Sequence, residues 1–251
     1  MNHELESKVA LITGASKGIG AGIAKTFGQA GARVAVGFGS DRKGAERVAA
    51  EIKAAGGQAI PVQGDLIQSR DIESMVARAV EAFGPLDVLV NNAGVFDFKM
   101  LSDIDEAHFH HIFTPNVLGL LTVTKTAVAR FNTAGGCVIN ISSLAALGNS
   151  PASAVYSASK AAVNAITKVL ALELAERKIR VNAIMPGYFD TEGARAIGVK
   201  GSELEARLIA ATPLEKRPGH PSDLSPVALF LASQASSWVT GEIITVAGGQ
   251  R

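Results

Sequence analysis

Apolar residues along this 251-residue chain fall into short continuous runs, each followed by a stretch with helical spacing. The run Val9-Ala10-Leu11-Ile12 is followed by Ile23, Ala24, Phe27 and Ala30, and Arg33-Val34-Ala35-Val36-Gly37-Phe38 by Ala45, Val48, Ala49 and Ile52. Uninterrupted four- to eight-residue runs suit parallel strands buried on both faces, and the intervening 3.6-residue period suits helices packed on them. Further strands are predicted at 59–62, 86–90, 137–141, 180–184 and 239–246, and further helices from near Ser69 and over about 105–130 and 155–175. Such alternation predicts an α/β, doubly wound fold. No internal repeat interrupts it.

Composition narrows the partners. With 47% hydrophobic and 19% charged residues and a formal net charge of +1, the chain carries no basic excess for nucleic acid or a membrane surface. The expected partner is a small molecule, and residues 1–251 are expected to form one domain. Cys137 is the single cysteine and lies in an apolar run, which predicts a buried thiol with no disulfide or cysteine-based metal cluster. His108, His110 and His111 cluster without matching carboxylates, so no metal site is expected. The first residues, Met1-Asn2-His3-Glu4-Leu5-Glu6, lack a basic region followed by an apolar core, and the expected location is cytoplasmic.

The first strand runs into Thr13-Gly14-Ala15-Ser16-Lys17-Gly18-Ile19-Gly20. Glycines between a strand and a helix let backbone approach a pyrophosphate, whose charge is met by free N–H groups at the helix N-terminus. Gly14, Ser16, Lys17, Gly18, Ile19 and Gly20 are therefore expected to bind a dinucleotide. At the end of the second strand an NAD site normally carries an acidic residue for the ribose 2′-hydroxyl. Phe38 and Gly39 stand there instead, followed by Ser40 and Arg42. With Lys17 in the loop, two cations and a hydroxyl are available to a 2′-phosphate, which favours NADP(H) over NAD(H). Asp41 would repel that phosphate unless it caps the following helix.

Asp65-Leu66 ends the third strand, where the carboxylate either accepts from an adenine amino group or forms a turn. Asn91-Asn92-Ala93-Gly94 ends the fourth, and its amides either tie strands together or line the crevice where α/β sheets bind ligands. Asn92, Ala93 and Gly94 are expected at the cofactor. In Tyr156-Ser157-Ala158-Ser159-Lys160, tyrosine and lysine stand four apart and share one helix face. A phenol has a pKa near 10, and an ammonium at roughly 5 Å lowers it by about two units at an effective dielectric of ~20. That predicts a tyrosine able to exchange a proton; the alternative for the pair alone is an ordinary surface Tyr and Lys.

With the glycine loop, Asn91-Asn92-Ala93-Gly94 and Tyr156-x3-Lys160 in this order, the chain resembles the classical short-chain dehydrogenase/reductase (SDR) family from about residue 5 to 249. The resemblance implies a single Rossmann domain with a seven-stranded parallel sheet flanked by helices, and a catalytic tetrad. Position by position the tetrad falls on Asn116, Ser143, Tyr156 and Lys160. Tyr156 would exchange the proton, Ser143 polarise the carbonyl, and Lys160 bind the nicotinamide ribose. The Asn116 backbone would hold a water linking Lys160 to solvent. Pro115, before that asparagine, departs from the family pattern and is expected to kink the 105–130 helix. Pro186, Gly187 and Thr191 would border the nicotinamide, although Pro186-Gly187 is equally a turn. Ala247 replaces the family's aspartate in the Ala247-Gly248-Gly249 ending.

The implied reaction is reversible reduction of a carbonyl, or oxidation of a secondary alcohol, with NADPH as the expected donor. Val95, Phe96, Leu144, Ala145, Tyr188 and Phe189 neighbour the reactive positions, and most are apolar, which suits a small hydrophobic or aromatic ketone. The segment at about 188–212, with Gly193, Gly198 and Gly201, is expected to be a substrate lid. One alternative is a 3-oxoacyl-carrier-protein reductase; Phe131-Asn132-Thr133-Ala134-Gly135-Gly136-Cys137 lacks the basic cluster that its acidic partner would favour. Another is a non-catalytic dinucleotide sensor, which would need no reactive tyrosine. In relatives the helices near 105–130 and 155–175 form a dimer interface, so a homotetramer is expected.

Overall fold

The computed structural model describes residues 4–148, 150–196 and 198–251; Asn149 and Ile197, the latter within the segment expected to be a lid, lie outside the described residues. Seven parallel strands form one sheet in the order β3-β2-β1-β4-β5-β6-β7. They are β1 (Val9–Ile12), β2 (Arg33–Phe38), β3 (Gln58–Gln63), β4 (Val88–Asn91), β5 (Gly136–Ile141), β6 (Ile179–Pro186) and β7 (Ile243–Val246). The seventh strand is shorter than its apolar run predicts. Gly241 has φ +79°, and Thr240 turns its hydroxyl to accept from the Val181 amide at 3.0 Å, so the backbone bends at 241 and regular strand geometry begins only at Ile243.

Alternation along each strand separates two cores. Ala10, Ile12, Val34, Val36, Val88, Val90 and Ile139 face one side, with α1 (Gly18–Gln29), α2 (Arg42–Ala54) and α9 (Pro221–Ala232). Val9, Leu11, Ala35, Leu89 and Val138 face the other, with α3 (Ser69–Phe83), α5 (Leu120–Val128) and the end of α6 (Ala154–Glu173). Both faces are dry, which is why the strands read as continuous apolar runs. Cys137 is buried, and burial raises its thiol pKa to about 11, so it stays a protonated core residue.

The long helix expected over 105–130 is two helices, α4 (Glu106–Phe113) and α5, joined by a π-helical turn at Thr114–Gly119. Pro115 cannot donate to the α-helical ladder, and the wider turn absorbs that loss without a break. The chain turns away from β1 on both sides, to β2 and β4. The loops following β1, β4, β5 and β6 therefore converge at the carboxyl edge, where doubly wound sheets open a crevice. Beyond β6 lie α7 (Glu192–Ala196) and α8 (Glu203–Ala210).

Candidate active site

The glycine loop is built to admit a pyrophosphate. Gly14 and Gly18 have φ +61° and +58°, a region that L side chains rarely adopt. A Cβ on Gly20 would collide with Asn92 Nδ2 and lie 2.6 Å from the Gly14 carbonyl oxygen. Asn92 holds the loop in this shape by donating to the Thr13 and Gly14 carbonyls at 3.0 and 2.9 Å. Thr13 Oγ1 accepts from the Asn92 and Ala93 amides. Gly18 opens α1, so its first-turn amides point into the crevice with the positive end of the helix dipole. These residues fit the diphosphate of a dinucleotide.

The far end of that groove is cationic. Arg42 stands over the Phe38 ring, 5.4 Å from its centroid, and donates to Gln63 Oε1 at 2.9 Å. Asp41 caps α2, accepting from the Gly44 amide at 3.0 Å, so its carboxylate is engaged as the sequence predicts. Ser40, between Phe38 and Arg42 in the chain, and Lys17 in the glycine loop are both exposed. Asp65 accepts from the Ile67 amide at 3.1 Å, which is the turn-forming arrangement. Leu66 packs against the second core.

Of the two asparagines after β4, Asn91 is the internal tie. Its amide donates to Asn140 Oδ1 at 2.9 Å and Thr124 Oγ1 at 2.8 Å, and Asn140 donates on to Thr167. Next along the chain, Gly94 lets two groups come close: a Cβ there would lie 3.0 Å from Asn116 Oδ1 and 3.5 Å from Lys160 Nζ. Asn116 is buried in the π-helical turn. Its Oδ1 accepts from the Val95 amide, and its Nδ2 donates to the Val95 carbonyl, both at 2.8 Å, and to Ser159 Oγ at 3.2 Å.

Tyr156 and Lys160 lie in the first two turns of α6. Ser143 is the hydrogen-bonding neighbour that acts on the Tyr156 phenol, and Lys160 Nζ donates to the Ile141 carbonyl at 2.9 Å. Lys160 Nζ lies 5.9 Å from the Tyr156 ring centroid. The expectation that the ammonium sets the phenol's acidity does not hold for the protein alone. Burial is the larger effect and pushes Tyr156 above its ordinary pKa, opposed by the Ser143 hydrogen bond. Burial also lowers Lys160 to about 8. A low-dielectric pocket penalises charge on either group, so the phenol stays neutral and the amine is half-protonated near pH 8.

An aromatic wall adjoins the phenol. Phe96 and Phe98 both meet the Tyr156 ring in T-shaped contacts, with centroids 6.2 and 5.8 Å away. Phe98 escaped the sequence reading, although Phe96 and Phe98 are separated by one residue, as two side chains on one face of an extended segment are. Val95 is fixed by Asn116, and the Ala145 amide donates to Ser143 Oγ at 3.2 Å. Leu144 is 5% exposed. The structure does not bring Phe189 to this wall. Its ring is buried in the first core against Gly219, where a Cβ would lie 2.7 Å from it.

Pro186 ends β6, and Gly187 is hemmed in by Gln250 and Ala247, leaving no room for a side chain. Tyr188 donates from its hydroxyl to Glu205 Oε1 at 2.7 Å, tying the strand end to α8. Burial first, and then that carboxylate, raise the phenol's pKa and favour its neutral form. Thr191 Oγ1 accepts from the Ala194 amide at 3.2 Å, and Asp190 accepts from Arg195 and Lys200. Glu192 accepts from the Gly18 amide at 3.0 Å, a contact spanning 174 residues that no local pattern signals. No group of metal-binding side chains occurs among the described residues.

This fold and this crevice define a dinucleotide-binding oxidoreductase. A family model described as Enoyl-(Acyl carrier protein) reductase matches residues 14–251, and the chain belongs to the short-chain dehydrogenase/reductase family. It is 51% identical over 248 residues to an uncharacterized oxidoreductase of Methylorubrum extorquens, with 99% of each chain covered. A versicolorin reductase of Emericella nidulans is 37% identical over 257 residues, covering 99% of this chain and 97% of that one. Among solved structures, a dehydrogenase/reductase from Sinorhizobium meliloti superposes with TM-score 0.94 at 34% identity, covering 100% of this chain and 97% of the other. A short chain dehydrogenase from Burkholderia cenocepacia in complex with NADP gives TM-score 0.91 at 31% identity, covering 98% and 99%.

Proposed function

We propose that the protein is an NADPH-dependent carbonyl reductase, running reversibly as a secondary-alcohol dehydrogenase, on a small hydrophobic or aromatic ketone. The observation that carries this reading is the neutral Tyr156 phenol, with Ser143 as its polar neighbour and Lys160 Nζ 5.9 Å from its ring on the same helix face, beside the crevice of a Rossmann sheet. Gly14, Ser16, Lys17, Gly18, Ile19 and Gly20 would cradle the pyrophosphate, and Lys17, Ser40 and Arg42 the 2′-phosphate. Asn92, Ala93, Gly94, Pro186, Gly187 and Thr191 would border the nicotinamide. When bound, NADPH supplies the hydride that reduces the carbonyl carbon.

The chain's own part is proton transfer and orientation. Ser143 holds the carbonyl oxygen, and Tyr156 donates its proton to the alkoxide as it forms. Lys160, protonated below about pH 8, stabilises the phenolate left behind. The Asn116 backbone serves the route by which that proton is replaced. Tyr188 and the segment to about 212 form the lid. The solved NADP complex of a relative and the reductases among the curated relatives support this assignment.

Leu118 and Leu121 are exposed on the π-turn and α5, whereas Leu120 and Val163 are buried; the exposed pair supports a homotetramer. Among the described residues no helix is long and apolar enough to cross a membrane. The test is NADPH and NADH consumption with a panel of aliphatic and aromatic ketones and an acetoacetyl thioester. Turnover of aromatic ketones with NADPH is expected. Preference for the thioester would assign an acyl-carrier-protein reductase instead, and nucleotide binding without any turnover a sensor.

A further inference from the structure

Glu192, the first residue of α7, ties the lid segment directly to the glycine loop through an amide of α1. Its Oε2 accepts from the Gly18 N–H at 3.0 Å, and Thr191 beside it lies against Gly18, with its Cβ 3.4 Å from where a Gly18 Cβ would be. Gly18 is the first residue of α1, and the ladder of that helix starts only with the Ala21 amide, which donates to the Lys17 carbonyl. The Gly18 amide is therefore one of the few main-chain donors at the positive end of the helix dipole. A carboxylate and a pyrophosphate are both anions seeking that pole.

We propose that Glu192 is an internal competitor for the cofactor's pyrophosphate, a displaceable anion that tunes NADP(H) affinity and couples its arrival to movement of the lid. The inference rests on the dinucleotide reading of the glycine loop. The molecule also provides somewhere for the displaced carboxylate to go. A recess of about 270 Å³ adjoins Gly18 and is lined by Lys17, Lys25, Arg47 and Arg195, with Asp190 and Glu192 as its carboxylates. Within it Arg195 already holds Asp190 at 2.7 Å, so the recess accommodates a carboxylate against a cation, while Lys25 is paired at 2.8 Å with Glu51, outside the lining. Moving from the amide to this basic recess removes the negative charge from the pyrophosphate's place without stranding it.

Glu192→Gln keeps the size and removes the charge; Glu192→Ala removes the acceptor as well. Because the contact is exposed to solvent, its effect is modest: Glu192→Gln should bind NADPH about threefold more tightly at low salt, and the gain should vanish near 0.5 M salt. Titration of cofactor fluorescence reads the affinity. In the protein without cofactor, Glu192→Ala should speed hydrogen exchange at the Gly18 amide severalfold, a readout that needs no turnover. Equal or weaker NADPH binding by Glu192→Gln, in a wild type that binds NADPH, overturns the competition alone, as does unchanged exchange at Gly18. A wild type that binds no nicotinamide dinucleotide overturns the reading of the glycine loop, and the competition with it.

Discussion

Asn116 and Val95 exchange hydrogen bonds in both directions, Oδ1 accepting from the Val95 amide and Nδ2 donating to the Val95 carbonyl, each at 2.8 Å. This reciprocal pair fastens the π-helical turn between α4 and α5 to the loop after β4, the loop that carries Phe96 and Phe98 against Tyr156. The side chain is fully used in doing so, which leaves the residue's main chain for any role in proton supply. Asn116→Ala strands both Val95 groups and takes one donor from Ser159 Oγ, which still donates to the Tyr156 carbonyl. We expect a loss of about 2–4 kcal/mol of stability in urea unfolding, together with a raised KM. An unchanged midpoint would show that the pair does not hold the loop.

Ser143 is the polar neighbour that acts on the Tyr156 phenol, so the hydroxyl adds little to folding. Tyr156→Phe should fold with a near-normal melting temperature and bind NADPH close to normally. Its turnover should fall by about 10³-fold or more, since proton donation to the alkoxide is lost. Residual activity above one-tenth of wild type would remove the phenol from the reaction.

Lys160 buries an ammonium whose pKa falls from 10.5 to about 8. A base with a lowered folded-state pKa binds fewer protons in the native than in the unfolded chain between those values, so stability rises with pH across that window. The destabilisation is fully present below pH 8 and is gone above 10.5. Its size at neutrality is on the order of 3 kcal/mol, less the worth of the Ile141 hydrogen bond. Lys160→Met should therefore unfold at a higher temperature than wild type at pH 7, with the gap closing toward pH 10, while activity is lost. A variant less stable than wild type at every pH would contradict this account.

Arg42 is free of the capping role that holds Asp41, and its guanidinium spans the end of β2. If the 2′-phosphate lies there, Arg42→Ala should raise the KM for NADPH about tenfold and leave that for NADH nearly unchanged. Equal changes for both cofactors would place the 2′-phosphate elsewhere.

The alternation of apolar runs and helical spacings determined the parallel sheet and its two helical layers, because strands buried on both faces must be continuously apolar. Spacing also put Lys160 one turn from Tyr156, and made Asp41 a cap, since both relations are local to one helix. Tertiary structure alone decided the rest. The sign of the Tyr156 shift depends on how much water the packed crevice excludes, and burial there outweighs the opposing effect of Ser143. Phe189 turned into the core because Gly219, thirty residues on, leaves space for its ring. The reach of Glu192 to Gly18 and of Tyr188 to Glu205 joins segments whose meeting is fixed by the fold of the whole chain, and no periodicity of either segment encodes it.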